Sequence, residues 1–414
     1  MSNTEKTRLL LLLTSTAGGV GLNAYYLARG LPRDEFDVTI AYGPGYPLDA
    51  AIERLDVPVV HLSLSRKLSP WANARGFLQV YGLLRRQPFD MIVTQCSMAG
   101  LVGRVAGRLA GVPHRLFVTQ LFACHTEQPL LKRSLYRLVE RGLDRLTTHY
   151  VAVCEGSRRF GVQSGIMAPD KVTVIHNSVA LDKLHTTRSP EEVCARLGLD
   201  PCRPIVGTAL RFEPQKGLVF LLRAATVVKR ELPGVQFLIA GDGPMRDDLH
   251  ALATSLELDR TVHFIGWRDD LPDILQCMDV FCHPTLWEQL PHMVLEALAL
   301  RRPVVATAVD GVPEIVLHDE TGLLVPPRDP AALAAAVLDL LRDPDRARRL
   351  GEAGRRLVEE RFTADKMVES YAGLFRRLSA NGQDRAAGFC VKSTGKVTHL
   401  RAGQSDLPRS DSLQ

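Results

Sequence analysis

At 414 residues with 46% hydrophobic and 23% charged residues, the chain is too long for one ordinary core and too apolar to be disordered. A net charge of +5 fits an anionic ligand or an anionic membrane surface and is too weak to argue for nucleic acid. The apolar run at residues 9–13 is far too short to span a bilayer and lacks a cleavage pattern, and the eight cysteines include no Cys-x-x-Cys pair. A reducing cytoplasm is the economical setting.

Short apolar runs alternate with helical patterns along the chain. Residues 9–13, 38–42, 57–61, 91–94, 116–119, 151–154 and 172–175 read as strands in the first half. Residues 205–209, 237–240, 262–265, 280–282, 304–307 and 322–325 do so in the second. This β-α-β order predicts an α/β protein of two doubly wound, Rossmann-like domains facing across a cleft. The first covers residues 1–180 and the second 205–362, with a linker at 181–204 that is helical over 191–197. A further helix follows Thr363 to about Leu378, and the polar tail 379–414 is expected to be disordered. Ligands of such domains bind at the carboxyl ends of the strands, so the cleft is the expected site.

In chain order, the first strand feeds Thr14-Ser15-Thr16-Ala17-Gly18-Gly19-Val20-Gly21 and then a helix. Gly18 and Gly19 let a ligand approach the backbone at the helix start. The stretch from Gly19 to Ala24 fits Gly-x-Gly-x-x-Ala, but the second strand ends Ile40-Ala41-Tyr42-Gly43 without the acid a dinucleotide ribose needs. The helical segment 132–145 carries Arg133, Arg137, Arg141 and Arg145, a basic stripe that reads as a solvated face or as a dock for anionic lipid, diluted by Glu140 and Asp144.

The second domain opens with a strand followed by Arg211 and Lys216-Gly217, two cations suited to a phosphate. Gly241-Asp242-Gly243-Pro244 is a strand-end turn, and Trp267 follows a strand end where it can meet a nucleobase. Then comes a loop with Glu288 and a helix whose first turn suits Pro291 and whose second carries Glu296. Glu288 in the loop can fold back over the helix start, whose N–H groups suit phosphate. His125 follows the fifth strand and can reach the cleft; His61, His283 and His318 have no distinguishing partner and read as structural.

Together these elements resemble the group-4 glycosyltransferases, whose fold is GT-B. The resemblance covers roughly residues 8–378. It rests on Gly18-Gly19-Val20, Val174-Ile175-His176-Asn177, Arg211 with Lys216-Gly217, Gly241-Asp242-Gly243-Pro244, Glu288 to Glu296 as an E-x7-E motif, and Gly311-Val312-Pro313-Glu314 with Thr321-Gly322-Leu323-Leu324-Val325. It implies that Arg211 and Lys216 hold a donor diphosphate, Glu296 the ribose hydroxyls and Glu288 the transferred sugar. Backbone N–H groups around Leu290 and Pro291 would add phosphate contacts, the Gly18-Gly19 loop would close on the donor, and the helix after Thr363 would cross back to the first domain. Glu288, Lys216, Arg211 and His125 are then the catalytic candidates.

The implied reaction is transfer, with retention and without a metal or other cofactor, from a UDP- or GDP-type nucleotide-diphosphate sugar to a sugar or lipid-linked acceptor. Its setting would be bacterial cell-surface polysaccharide or glycolipid assembly at the cytoplasmic face of the membrane. A sugar-nucleotide epimerase of the same fold and a non-catalytic nucleotide-sugar-binding protein are the alternatives. The chain departs from the family pattern at Asn177-Ser178-Val179-Ala180, at Cys154 in place of a serine, and at Thr119-Gln120-Leu121, where the family carries a histidine.

Overall fold

Both halves of the alternating pattern build a wholly parallel sheet. The structure is a computed structural model that describes residues 6–65, 69–120 and 129–390. The first half contains strands β1 (Thr7–Leu13), β2 (Phe36–Tyr42), β3 (Val59–His61), β4 (Met91–Gln95), β5 (His114–Thr119), β6 (His149–Ala152) and β7 (Val172–Val174). Between them lie helices α1 (Gly18–Gly30), α2 (Asp49–Glu53), α3 (Pro70–Arg86), α4 (Ser97–Ala110), α5 (Leu130–Asp144) and α6 (Glu155–Gln163). The connecting stretch carries α7 (Pro190–Leu197), opened by a capping box between Ser189 and Glu192.

The second half contains β8 (Ile205–Ala209), β9 (Gln236–Ala240), β10 (Val262–Gly266), β11 (Val280–His283), β12 (Val304–Thr307) and β13 (Gly322–Val325). Its helices are α8 (Leu218–Glu231), α9 (Arg246–Ser255), α10 (Leu271–Leu275), α11 (His292–Ala299), α12 (Pro330–Arg342) and α13 (Pro344–Arg361), and α14 (Ala364–Cys390) ends the described chain.

The strand orders are β3-β2-β1-β4-β5-β6-β7 and β10-β9-β8-β11-β12-β13. Leu9 to Leu13 of β1 are all fully buried, as a central strand covered on both faces requires. Each sheet reverses its winding beside its first strand, between β1 and β4 and between β8 and β11. Such switch points open a crevice at the strands' carboxyl ends. The loop after β1 leads into Gly18 at the start of α1, and the loops after β8 and β11 carry Lys216 and Glu288.

After α13 the chain returns to the first domain. Val179 and Thr363 form a parallel bridge, with the Val179 N–H donating to the Phe362 carbonyl (2.9 Å) and the Ala364 N–H to the Val179 carbonyl (3.0 Å). Helix α14 then lies against the first domain: Phe375 meets Phe36 of β2 edge-on at 6.0 Å, and Arg376 grips Glu35, just before that strand, at 2.7 Å. The helix continues past Leu378 to Cys390, further than its apolar periodicity indicates. Residues 379–390 contain no proline to stop it. Residues 391–414 of the expected disordered tail lie outside the described residues. No described helix is long and apolar enough to cross a membrane.

Candidate functional site

The loops after β8 and β11 are stitched together. The Leu286 N–H donates to the Gln215 carbonyl (2.8 Å), the Thr285 hydroxyl to the same oxygen (3.1 Å), and the Gln215 amide to the Trp287 carbonyl (2.7 Å). Gly217 has φ +65°, and a Cβ there would lie 2.0 Å from the Pro284 carbonyl oxygen, so the join requires glycine. The stitching sets the Lys216 ammonium against the Glu288 carboxylate as a mostly buried ion pair.

Arg211 leaves the same strand end and pairs with Glu213 at 2.7 Å. Its loop is braced from behind by Gly241-Asp242-Gly243-Pro244. The Phe212 N–H donates to the Asp242 carbonyl (2.9 Å), and the Met245 N–H to the Phe212 carbonyl (3.0 Å).

Beyond Glu288, whose N–H donates to the Asp310 carboxylate (2.8 Å), Leu290 is buried and Pro291 is the N-cap of α11, with φ −76° and ψ 121°. Two expectations change here. Pro291 precedes the first helical residue, because its ψ is extended, and having no N–H it gives nothing to a phosphate. The unbonded N–H groups at this helix start belong to His292 and the residues after it. Glu296 projects from the next turn. It keeps an accessible edge, yet burial pushes its carboxyl up to about 7. Tyr26 of α1 feels its charge.

The first domain faces this helix closely. Gly18, with φ +64°, starts α1. A Cβ on Gly19 would lie 2.5 Å from His292 Cδ2. His292 Nδ1–H donates to the Ser178 carbonyl (3.0 Å), and burial pulls the imidazole down to about 4, so it is neutral. The Asn177 amide donates to the Leu290 carbonyl (3.2 Å). At a second crossing the Glu314 carboxylate accepts from the N–H groups of Glu155 and Gly156 at the start of α6, both at 3.0 Å, and from His176 Nε2–H at 2.9 Å. Cys154 caps α6 by accepting the Ser157 N–H (3.2 Å), doing a hydroxyl's work; burial pushes its thiol up to about 12, so it is no nucleophile.

Residues 18–178 match the family model for the glycosyl transferase 4-like domain, and residues 191–357 that for glycosyl transferases group 1. An alpha-maltose-1-phosphate synthase of Mycolicibacterium smegmatis is 33% identical over 309 residues, covering 68% of this chain and 77% of that protein. The chain belongs to the group-4 glycosyltransferases. This glycosyltransferase is also similar to the UDP-Gal:alpha-D-GlcNAc-diphosphoundecaprenol alpha-1,3-galactosyltransferase of Escherichia coli, with 28% identity over 324 residues, 76% of this chain and 82% of that one. Its GT-B fold is shared with HepE of Anabaena, solved with UDP and glucose, at a TM-score of 0.79 and 21% identity over 90% of this chain and all of that one.

Within this glycosyltransferase the structure gathers Lys216, Glu288, Leu290, Pro291 and Glu296 around the start of α11, with Gly19 facing His292 there and Gly18 next to it in the chain. Arg211 stands at the same strand end but turns to Glu213. Trp267 follows the edge strand β10, 63% exposed, with its indole N–H on Asp269 (3.3 Å). His125 lies outside the described residues. Sequence reasoning missed the contacts of His292, Tyr26 and Asp310 with this site, and those of His176 and Asn177 beside it. It also missed His283, fully buried at the end of β11 with Nε2 4.0 Å from Glu288 Oε2. The available signal for His283 was its place just before the motif loop.

Proposed function

We propose that this glycosyltransferase moves a sugar, with retention at the anomeric carbon and without a metal, from a UDP- or GDP-type nucleotide-diphosphate sugar to an acceptor hydroxyl. One observation carries the reading: at the switch point of the second sheet, Lys216 and Glu288 are locked together beside the start of α11 and across from Gly19. A diphosphate seated there competes for Lys216 with Glu288 and for Arg211 with Glu213. Two cations and a helix start then neutralise the leaving group, work otherwise done by a metal ion. Glu288, released from Lys216, reads hydroxyls of the sugar, and Glu296 those of the ribose. Trp267, exposed at its strand end, is assigned to the base. The diphosphate leaves first. The acceptor hydroxyl attacks from the same face and gives its proton to a phosphate oxygen of the donor.

The donor class is supported by the UDP-Gal in the E. coli relative's name and by the UDP bound to HepE. The same relative supports a lipid-linked acceptor in bacterial cell-surface glycan or glycolipid synthesis. An anionic membrane surface fits α5 better than the arginine stripe alone suggests. Arg133 and Arg137 are half-buried, and Arg141 donates to the Ser164 carbonyl at 2.8 Å. The outward face instead carries exposed Leu130, Leu131, Leu135 and Leu138, with exposed Lys132 and Arg145 beside them. The acids that dilute the stripe turn away: Glu140 is buried against Arg104 (2.9 Å) and Asp144 faces Lys171 (3.5 Å). Leucines ringed by cations suit an anionic interface.

The reaction is tested by incubating the protein with a panel of UDP- and GDP-sugars and measuring release of free nucleoside diphosphate, with and without chelator. Release that survives the chelator and is lost in Lys216→Ala supports the proposal. Release that needs an added divalent ion contradicts its metal-free part, and equal release by Lys216→Ala contradicts the site.

A further inference from the structure

His283 closes β11. Its side chain is 1% exposed, and among the described residues neither ring nitrogen has a hydrogen-bond partner. An unpaired buried imidazole costs stability that an aliphatic side chain in the same place would not. The ring also has a direction. Nε2 stands 4.0 Å from Glu288 Oε2, about 1 Å beyond an ordinary hydrogen bond. That oxygen is the one paired with Lys216. Burial, together with the charge of Lys216, holds the imidazole well below 6.5, so the ring is neutral and has one N–H to give.

We propose that His283 is a positioning residue for Glu288, donating Nε2–H to its carboxylate when Lys216 turns to the donor diphosphate. The proposal rests on the assignment of Lys216 to the diphosphate and Glu288 to the sugar. Closing the gap by about 1 Å completes a normal N–H···O bond. It fixes the carboxylate against the sugar hydroxyls after its cation has moved away. Placing a carboxylate within a fraction of an ångström needs such a second partner. His283 acts only through Glu288, so its effect belongs to the sugar and not to the nucleotide.

The test compares wild type with His283→Leu and His283→Gln. It reads nucleoside diphosphate release from UDP- and GDP-sugars, calorimetric binding of UDP and GDP alone, and the thermal midpoint. Leucine fills the site without an unpaired polar group, so its midpoint equals or exceeds that of wild type. Its kcat falls by about tenfold or more, the effect of losing a hydrogen bond to a charged group. Binding of the free nucleoside diphosphate stays within about twofold, and glutamine, which restores an N–H, recovers part of the rate. Wild-type kcat in a folded leucine variant overturns the proposal, as does an equal loss of rate and nucleotide binding or a glutamine variant no better than leucine. If wild type neither binds UDP or GDP nor releases them from their sugars, the donor assignment itself fails, and this proposal with it.

Discussion

Glu314 of the second domain reaches His176 of the first, with 2.9 Å between carboxylate oxygen and Nε2, and the same carboxylate accepts two N–H groups at the start of α6. An anion at a helix start is doubly favoured, by unbonded N–H groups and by the helix dipole. The contact is therefore a latch that holds the two domains together beside the cleft.

Burial alone would raise the Glu314 carboxyl, but the bonds from His176, Glu155 and Gly156 outweigh it and hold the group below its ordinary 4.5. A lowered carboxyl adds stability that is fully present above 4.5 and is lost as pH falls through the folded value. Glu314→Gln should lower stability by about 1–3 kcal/mol at neutral pH. The difference from wild type should shrink below pH 4.5. Denaturant titrations of both proteins across acid pH check this.

Glu296 has the opposite sign. Burial raises its carboxyl from 4.5 to about 7, so the folded state loses stability as pH rises across that interval. Glu296→Gln should raise the thermal midpoint at pH 8, with a gain on the order of 3 kcal/mol that vanishes near pH 4.5. If Glu296 holds the ribose as proposed, the ribose hydroxyls donate to its ionised form, and nucleotide binding should release a proton just below about pH 7. Calorimetry in buffers of different ionisation enthalpy measures that release, and Glu296→Gln should abolish it.

The fold was legible because central parallel strands are unbroken apolar runs, as residues 9–13 of β1 show. The meeting of Lys216 with Glu288 beside the helix of Glu296 was legible because all three follow strand ends within one domain, where topology fixes their neighbours. Contacts across the domains were not. Gly19 with His292, Asn177 with Leu290 and Glu314 with His176 are distant in sequence, and no periodicity links them. The arginine spacing on α5 was visible, but the inward turn of Glu140 depends on Arg104 of α4, which sequence does not place.

Gly19 faces His292 so closely that a methyl group cannot fit without movement. Gly19→Ala should push the loop before α1 away from α11 and cost about 1–3 kcal/mol, the range for overpacking. Gly82 of α3 has open space at its Cβ position, so Gly82→Ala is the control and should not destabilise. Thermal midpoints and donor turnover of the two variants distinguish them.

The leucine face of α5 predicts a separation of functions. Replacing Leu131 and Leu135 together by glutamate should abolish co-sedimentation with phosphatidylglycerol vesicles. Release of nucleoside diphosphate from soluble donors should stay within about twofold, because both residues are solvent-exposed and surface changes of this kind are cheap. Equal vesicle binding by the variant would remove α5 from membrane docking.

On the proposed division of labour, Lys216 serves the diphosphate and Glu288 the sugar of one donor. Calorimetry of the free nucleoside diphosphate and of the intact nucleotide sugar, for wild type, Lys216→Ala and Glu288→Gln, tests it most directly. Lys216→Ala should weaken both ligands by about tenfold or more. Glu288→Gln should weaken only the nucleotide sugar. Unchanged binding of both ligands by both variants, or equal loss of the free diphosphate in Glu288→Gln, would contradict it.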